Sequence, residues 1–161
     1  MLKALFLLTI SLKAGTTEVA PEYHSLHKRL LTIDTHIDTP VRLALPGFEI
    51  DRAYNHREHY SSIDIDRLTK GGLDSGFWAI YSHQGPLTKS GFEISYGNAK
   101  RRLSQVKSMV ETQREHFQFA QSSSELSGTD KDGRHTIVLS IENAYPIGED
   151  LDKVDEFYEA G

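Results

Sequence analysis

The sequence predicts an α/β fold on a parallel sheet, and three observations carry that prediction. Strand-like runs at residues 30–39, 75–82 and 136–143 are separated by stretches with helical periodicity. The second run has little polar relief, as expected of a strand covered on both faces. The stretch between the second and third runs repeats apolar residues at helical intervals over about six turns. A complete (β/α)8 barrel takes about 250 residues. The 161 residues therefore hold about the first three βα units.

The elements follow in order. Residues 1–20, "MLKALFLLTISLKAGTTEVA", read as a signal peptide: Lys3 gives a positive start and Ala4 to Leu12 form an apolar run. That run is too short to span a bilayer, which takes roughly 20 residues. Secretion, to the medium or the periplasm, is the expected localisation, and residues 21–161 form the barrel part. "PEYHSLHKRLL" has helical spacing at Tyr23, Leu26 and Leu30. "LLTIDTHIDT" alternates like a strand, and Pro40 ends it.

Residues 41–70 are mixed and polar, and "PGFEIDRAYNHREHYSS" (46–62) reads as a long loop or insertion. A short helical turn, a Gly71-Gly72 break and the second strand follow. Ser90 and Glu93 have capping-box spacing for the next helix. Its apolar stripe runs Tyr96, Ala99, Leu103, Val106, Val110 and Phe117. A polar connection leads to the third strand, "TIVLSIEN", rich in β-branched residues. Leu151, Val154, Phe157 and Tyr158 then share one face of a last helix.

Composition narrows the chemistry. A formal charge of −5 offers no basic face for nucleic acid. The absence of cysteine excludes disulfides, thiolate zinc sites, a cysteine nucleophile and a lipidated cysteine. A metal here must be held by histidine and carboxylate. No P-loop, dinucleotide fingerprint or nucleophile elbow is present.

Strand alternation supplies such a set. His36 and Asp38 share a face with Asp34, while Ile33, Thr35 and Ile37 take the other, where a helix layer would cover them. The Cα atoms of His36 and Asp38 are then roughly 6–7 Å apart, close enough for both side chains to reach one ion. Asp34 sits one step deeper and suits a supporting role, such as orienting a ligand. Glu142 is the last residue on its face of the third strand. In α/β sheets, sites are built at the C-terminal strand edge, so the three would meet there.

A His-x-Asp pair alone is more often a hydrogen-bonded polar pair, and a strand-terminal glutamate often caps a helix. Other histidines are weaker candidates. His56 and His59 lie three apart in an irregular polar stretch. His83, beyond the second strand, could face the active edge and touch substrate, and His116, beside a helix stripe, reads as surface or partly buried. Trp78 reads as core packing.

Three motifs, "IDTHIDTP", "SIDIDRLTKGGLDSGFWAIYSHQGP" and "IVLSIENAYPIGEDL", closely resemble the zinc-dependent membrane (renal-type) dipeptidases, above all their bacterial secreted branch. The resemblance covers nearly all of residues 30–161. It implies a metal-dependent amidohydrolase-type (β/α)8 TIM barrel with two zinc ions. His36 and Asp38 would ligate the first zinc and Glu142 would bridge both. Ile37 departs from an asparagine common among relatives, on the side chain that points away from the metal.

The remaining ligands, the catalytic residues and most substrate contacts are expected beyond Gly161. The resemblance implies hydrolysis of a dipeptide's amide bond by a metal-bridged hydroxide. It also implies a homodimer of the complete enzyme. A C-terminal membrane anchor, carried by some members, would also lie beyond Gly161. The isolated chain is expected to be inactive. Two other readings stay open: another amidohydrolase-type hydrolase, and a non-catalytic secreted binding domain derived from such a barrel.

Overall fold

The computed structural model describes residues 20–54, 61–128 and 133–161. Residues 1–19 of the expected signal peptide, and His56 and His59, lie outside the described residues. Four strands form one all-parallel sheet: β1 (Ile33–Ile37), β2 (Ser75–Tyr81), β3 (Phe117–Phe119) and β4 (His135–Glu142). Their spatial order is β1-β2-β4-β3, so the three predicted strands are consecutive neighbours. The helices are α1 (Pro21–His27), α2 (Thr39–Leu43), α3 (Ile65–Gly71), α4 (Lys89–Thr112), α5 (Ser123–Gly128) and α6 (Asp152–Glu159). Among the described residues no helix is long and apolar enough to cross a membrane.

The core lies between the sheet and the helices. Ile37, Trp78, Ile80 and Ile137 form one buried cluster with Ala99, Val106, Met109 and Val110 of α4. Trp78 is fully buried, which bears out its reading as core. The central strand β2 is buried along most of its length, because β1 and β4 flank it. Within the predicted loop, the described residues 46–54 are more ordered than a loop. Phe48, Ile50 and Tyr54 reach the core, and the rings of Phe48 and Tyr54 stack at 5.1 Å. The Tyr54 hydroxyl donates to the Gly47 carbonyl at 2.9 Å and accepts from the Glu49 N–H at 2.8 Å. Asp64 caps α3 by accepting the Arg67 N–H, and Gly72 ends that helix at φ +63°, a conformation glycine adopts without strain.

The structure corrects three expectations and shows where the predicted face of the last helix lies. The cap of α4 is Thr88, whose hydroxyl accepts the Gly91 N–H at 3.2 Å, while Glu93 instead meets Lys153 at 3.3 Å. That helix stops at Thr112, and Phe117 belongs to the short strand β3. There it packs edge-on against Trp78, which its buried ring serves better than another helical turn would. Of the β1 residues assigned to the covered face, only Ile37 is buried; Ile33 and Thr35 are exposed. α1 buries none of its residues, so it does not cover that end of the strand. Finally, the apolar face of α6 turns outward: Leu151, Val154 and Tyr158 are exposed, Phe157 is half-buried, and the buried residue is Lys153.

At the N-terminal end of the sheet the polar groups satisfy one another. The Thr32 N–H and hydroxyl both donate to one Asp74 oxygen, at 2.7 and 2.8 Å, and the Asp74 N–H donates back to the Thr32 hydroxyl oxygen. The Trp78 indole N–H donates to His135 Nε2 at 3.1 Å. Nε2 is therefore unprotonated, and His135 Nδ1 carries the proton, donated to the Leu73 carbonyl at 3.0 Å. Burial pushes the His135 pKa below its ordinary value, against the opposing pull of that carbonyl and of Asp74 and Asp34.

Candidate metal centre

The opposite, C-terminal edge gathers the predicted ligands. His36 is the penultimate residue of β1, and Glu142 is the last of β4. The two strands are joined through β2, where Tyr81 pairs with Glu142 and Trp78 with Ile37. Asp38 lies just past the strand, at the N-cap position of α2, with Pro40 in that helix's first turn. β1 departs from simple alternation here. Between Asp34 and Ile37 it advances one residue more than β2 does between Gly76 and Trp78, which is a β-bulge.

The bulge explains how Ile37 reaches the core while His36 reaches the edge. Ile37 seats over Gly76, where an added Cβ would stand 2.3 Å from Ile37 Cδ1. Asp34 accepts the His36 backbone N–H at 2.9 Å. Its supporting role is therefore to fix the main chain at the bulge; it does not hold the imidazole ring.

His36 Nε2 lies 3.3 Å from Asp38 Oδ1 and 3.2 Å from Glu142 Oε2. One donor atom from each of the three residues falls within 4.8 Å of the others. All three side chains are about half exposed, at 50, 65 and 44% respectively. A tetrahedral ion bound at about 2.0–2.1 Å sets neighbouring donors about 3.3 Å apart, which the two separations from His36 Nε2 match. The donor chemistry fits as well, with one imidazole nitrogen and carboxylate oxygens. Two carboxylates drawn to one point also repel each other, and a cation between them removes that cost.

A match to the model of the membrane dipeptidase family, peptidase family M19, spans residues 21–161. The chain belongs to that family. Solved structures agree on the fold. The probable dipeptidase PvdM from Pseudomonas aeruginosa superposes with a TM-score of 0.74 at 24% identity, covering 87% of this chain and 35% of that one. A structure described as dipeptidase AC, a metallopeptidase of family M19, gives 0.68 at 25% identity over 82% and 40%. A metallopeptidase from Rhodobacter sphaeroides, liganded with a phosphinate mimic of the dipeptide L-Ala-D-Ala, gives 0.65 at 21% over 82% and 43%. The chain thus spans well under half of these proteins. No curated protein matches it. The parallel sheet with its helices is a part of the (β/α)8 barrel, as the sequence predicted.

His83 falls on the same edge but outside the three-residue cluster. Its Nδ1 lies 3.2 Å from the Tyr81 hydroxyl, and the two rings meet edge-on at 5.2 Å. It borders a cavity of about 380 Å³ that Ser82, Asn98, Arg102 and Tyr145 also line. A second cavity, of about 370 Å³, opens at the opposite end of the sheet beside His135 and Leu73, far from the cluster's edge. His116 is exposed and lines that second cavity. Sequence reading gave Tyr81 only a place in the second strand and passed over Asn143. Tyr81 alternates onto the face opposite Trp78 and Ile80 and pairs with Glu142. Asn143 has φ +74°, which no local pattern announces.

Proposed function

We propose that this chain carries three ligands of a binuclear zinc site that hydrolyses dipeptides, with His36 and Asp38 on the first ion and Glu142 placed to bridge both. The convergence of the three donor atoms within 4.8 Å at the C-terminal sheet edge carries this reading. Family membership supports the dipeptide substrate. Bound zinc would supply a water acidified towards neutrality and a Lewis acid for the scissile carbonyl.

The chain's own residues have distinct parts. His36 presents its Nε2, with its backbone N–H pinned by Asp34. Asp38 and Glu142 supply the negative charge that makes the edge selective for a cation. His83, steadied by Tyr81, would contact substrate. The N-terminal segment would direct the protein out of the cytoplasm. Three donors leave a four-coordinate ion open, so residues 1–161 expressed alone should bind zinc weakly and turn over no dipeptide.

The test is zinc content and dipeptide hydrolysis by the native full-length protein. The wild type should retain up to two zinc ions after dialysis and cleave L-Ala-D-Ala. His36→Ala should lose more than about 100-fold in zinc affinity, beyond what loss of an outer partner costs. A wild-type protein that holds no zinc, or a His36→Ala variant that holds it as tightly, defeats the proposal.

A further inference from the structure

We infer that Asn143 is a positioning residue that sets the Glu142 carboxylate against His36; the inference rests on the zinc reading above. Asn143 is the one non-glycine residue with a positive φ among those described, at +74°. It comes directly after Glu142, where β4 ends and the chain must turn off the sheet.

Its side chain closes hydrogen bonds in two directions. Nδ2 donates to the Ser82 carbonyl at 2.9 Å, and Oδ1 accepts the Tyr145 N–H at 3.0 Å. The Ser82 N–H in turn donates to the Glu142 carbonyl at 3.3 Å. The β2-β4 ladder therefore gains one more rung beyond Tyr81 and Glu142, made by a side chain. Ser82 is buried, so the anchor on the β2 side is fixed. Tyr145 is fixed too: its hydroxyl donates to the Pro86 carbonyl at 2.6 Å, and its ring meets Phe92 edge-on.

Glu142 is thus held on both sides of its Cα while its side chain stays half exposed. That matters because His36 stands two strands away and reaches Glu142 only through β2. A slip of the β4 end against the β2 end would move the carboxylate off the 3.2 Å separation from His36 Nε2. Ligand sites tolerate about 0.5 Å of such error. Asparagine suits the position because it accepts the left-handed conformation and still carries one donor and one acceptor.

The test is a cobalt(II) titration of the native full-length protein followed by visible absorption, which reads the ligand field without turnover. Asn143→Gly keeps the positive φ freely and removes both side-chain bonds. Asn143→Asp keeps the acceptor for Tyr145 and loses the donor to Ser82. Asn143→Gly should weaken cobalt binding by about 10- to 100-fold and shift the absorption bands, with Asn143→Asp in between and the metal-free melting temperature close to wild type. Wild-type affinity and spectrum in Asn143→Gly would overturn the inference, since the residue would then serve only the backbone turn. Weak binding with a collapsed melting transition would overturn it as well, by making the residue a general support of the fold. If the wild type gives the same titration as His36→Ala, the zinc reading itself fails.

Discussion

His135 and His36 stand at opposite ends of one parallel sheet, and their surroundings differ in kind. His135 opens β4, is 3% exposed, and has both ring nitrogens committed, one to Trp78 and one to Leu73. His36 nearly closes β1, is half exposed, and turns its Nε2 towards two carboxylates that donate nothing in return. At the N-terminal end, donors and acceptors balance: Thr32 with Asp74, Trp78 with His135. At the C-terminal end, acceptors are in excess. A buried, fully paired polar group stabilises the fold, whereas a half-exposed set of acceptors converging on one nitrogen stays open to a ligand. The residue types alone do not separate these cases; the count of partners does.

Substitutions at the two ends should separate accordingly. Trp78→Ala should cost about 3–5 kcal/mol in urea denaturation, from the cavity alone, and leave His135 short of a partner. His135→Ala should cost about 1–3 kcal/mol by stranding the Trp78 N–H and the Leu73 carbonyl. His36→Ala should stay within about 0.5 kcal/mol of wild type in the metal-free protein, because its side chain is half exposed. A destabilisation by His36→Ala equal to that of His135→Ala would erase the distinction between the ends.

The subtlest effect is on pH. Burial holds the folded His135 pKa below its ordinary 6.5, so between those values the unfolded chain binds the extra proton. Its contribution to stability is complete above about pH 6.5 and drains away as pH falls. Urea midpoints measured from about pH 7.5 to 5.5 should therefore fall more steeply for wild type than for His135→Gln. Equal slopes would mean the ring is not held neutral.

Much of the architecture was legible because periodicity is a strong signal over long elements. Phe77, Trp78, Ile80 and Tyr81 marked a doubly covered strand, and the stripe from Ala99 to Val110 marked the helix behind it. The ligand set was legible as well, since alternation puts His36 and Glu142 on the polar faces of their strands. What escaped was short or aperiodic. β3 is three residues long, and Phe117 fits a helical stripe seven residues after Val110 as well as it fits a strand. The bulge in β1 breaks the period-two pattern from within, and its only local trace lies on the neighbouring strand, in Gly76. The outward apolar face of α6 shows the remaining limit: amphipathic spacing identifies a helix but not what its face meets.

The crossing order of the strands has a kinetic consequence. His36 and Asp38 come from the first strand and Glu142 from the fourth, and they meet only after β4 has added to β2. Parallel pairing between such distant segments is slow, since the closure entropy of the intervening chain must be met before its contacts form. Metal capture would accordingly be a late event, following assembly of the sheet. A cobalt absorbance signal recorded during refolding would then lag the recovery of helical circular dichroism, and the lag would time the docking of β4.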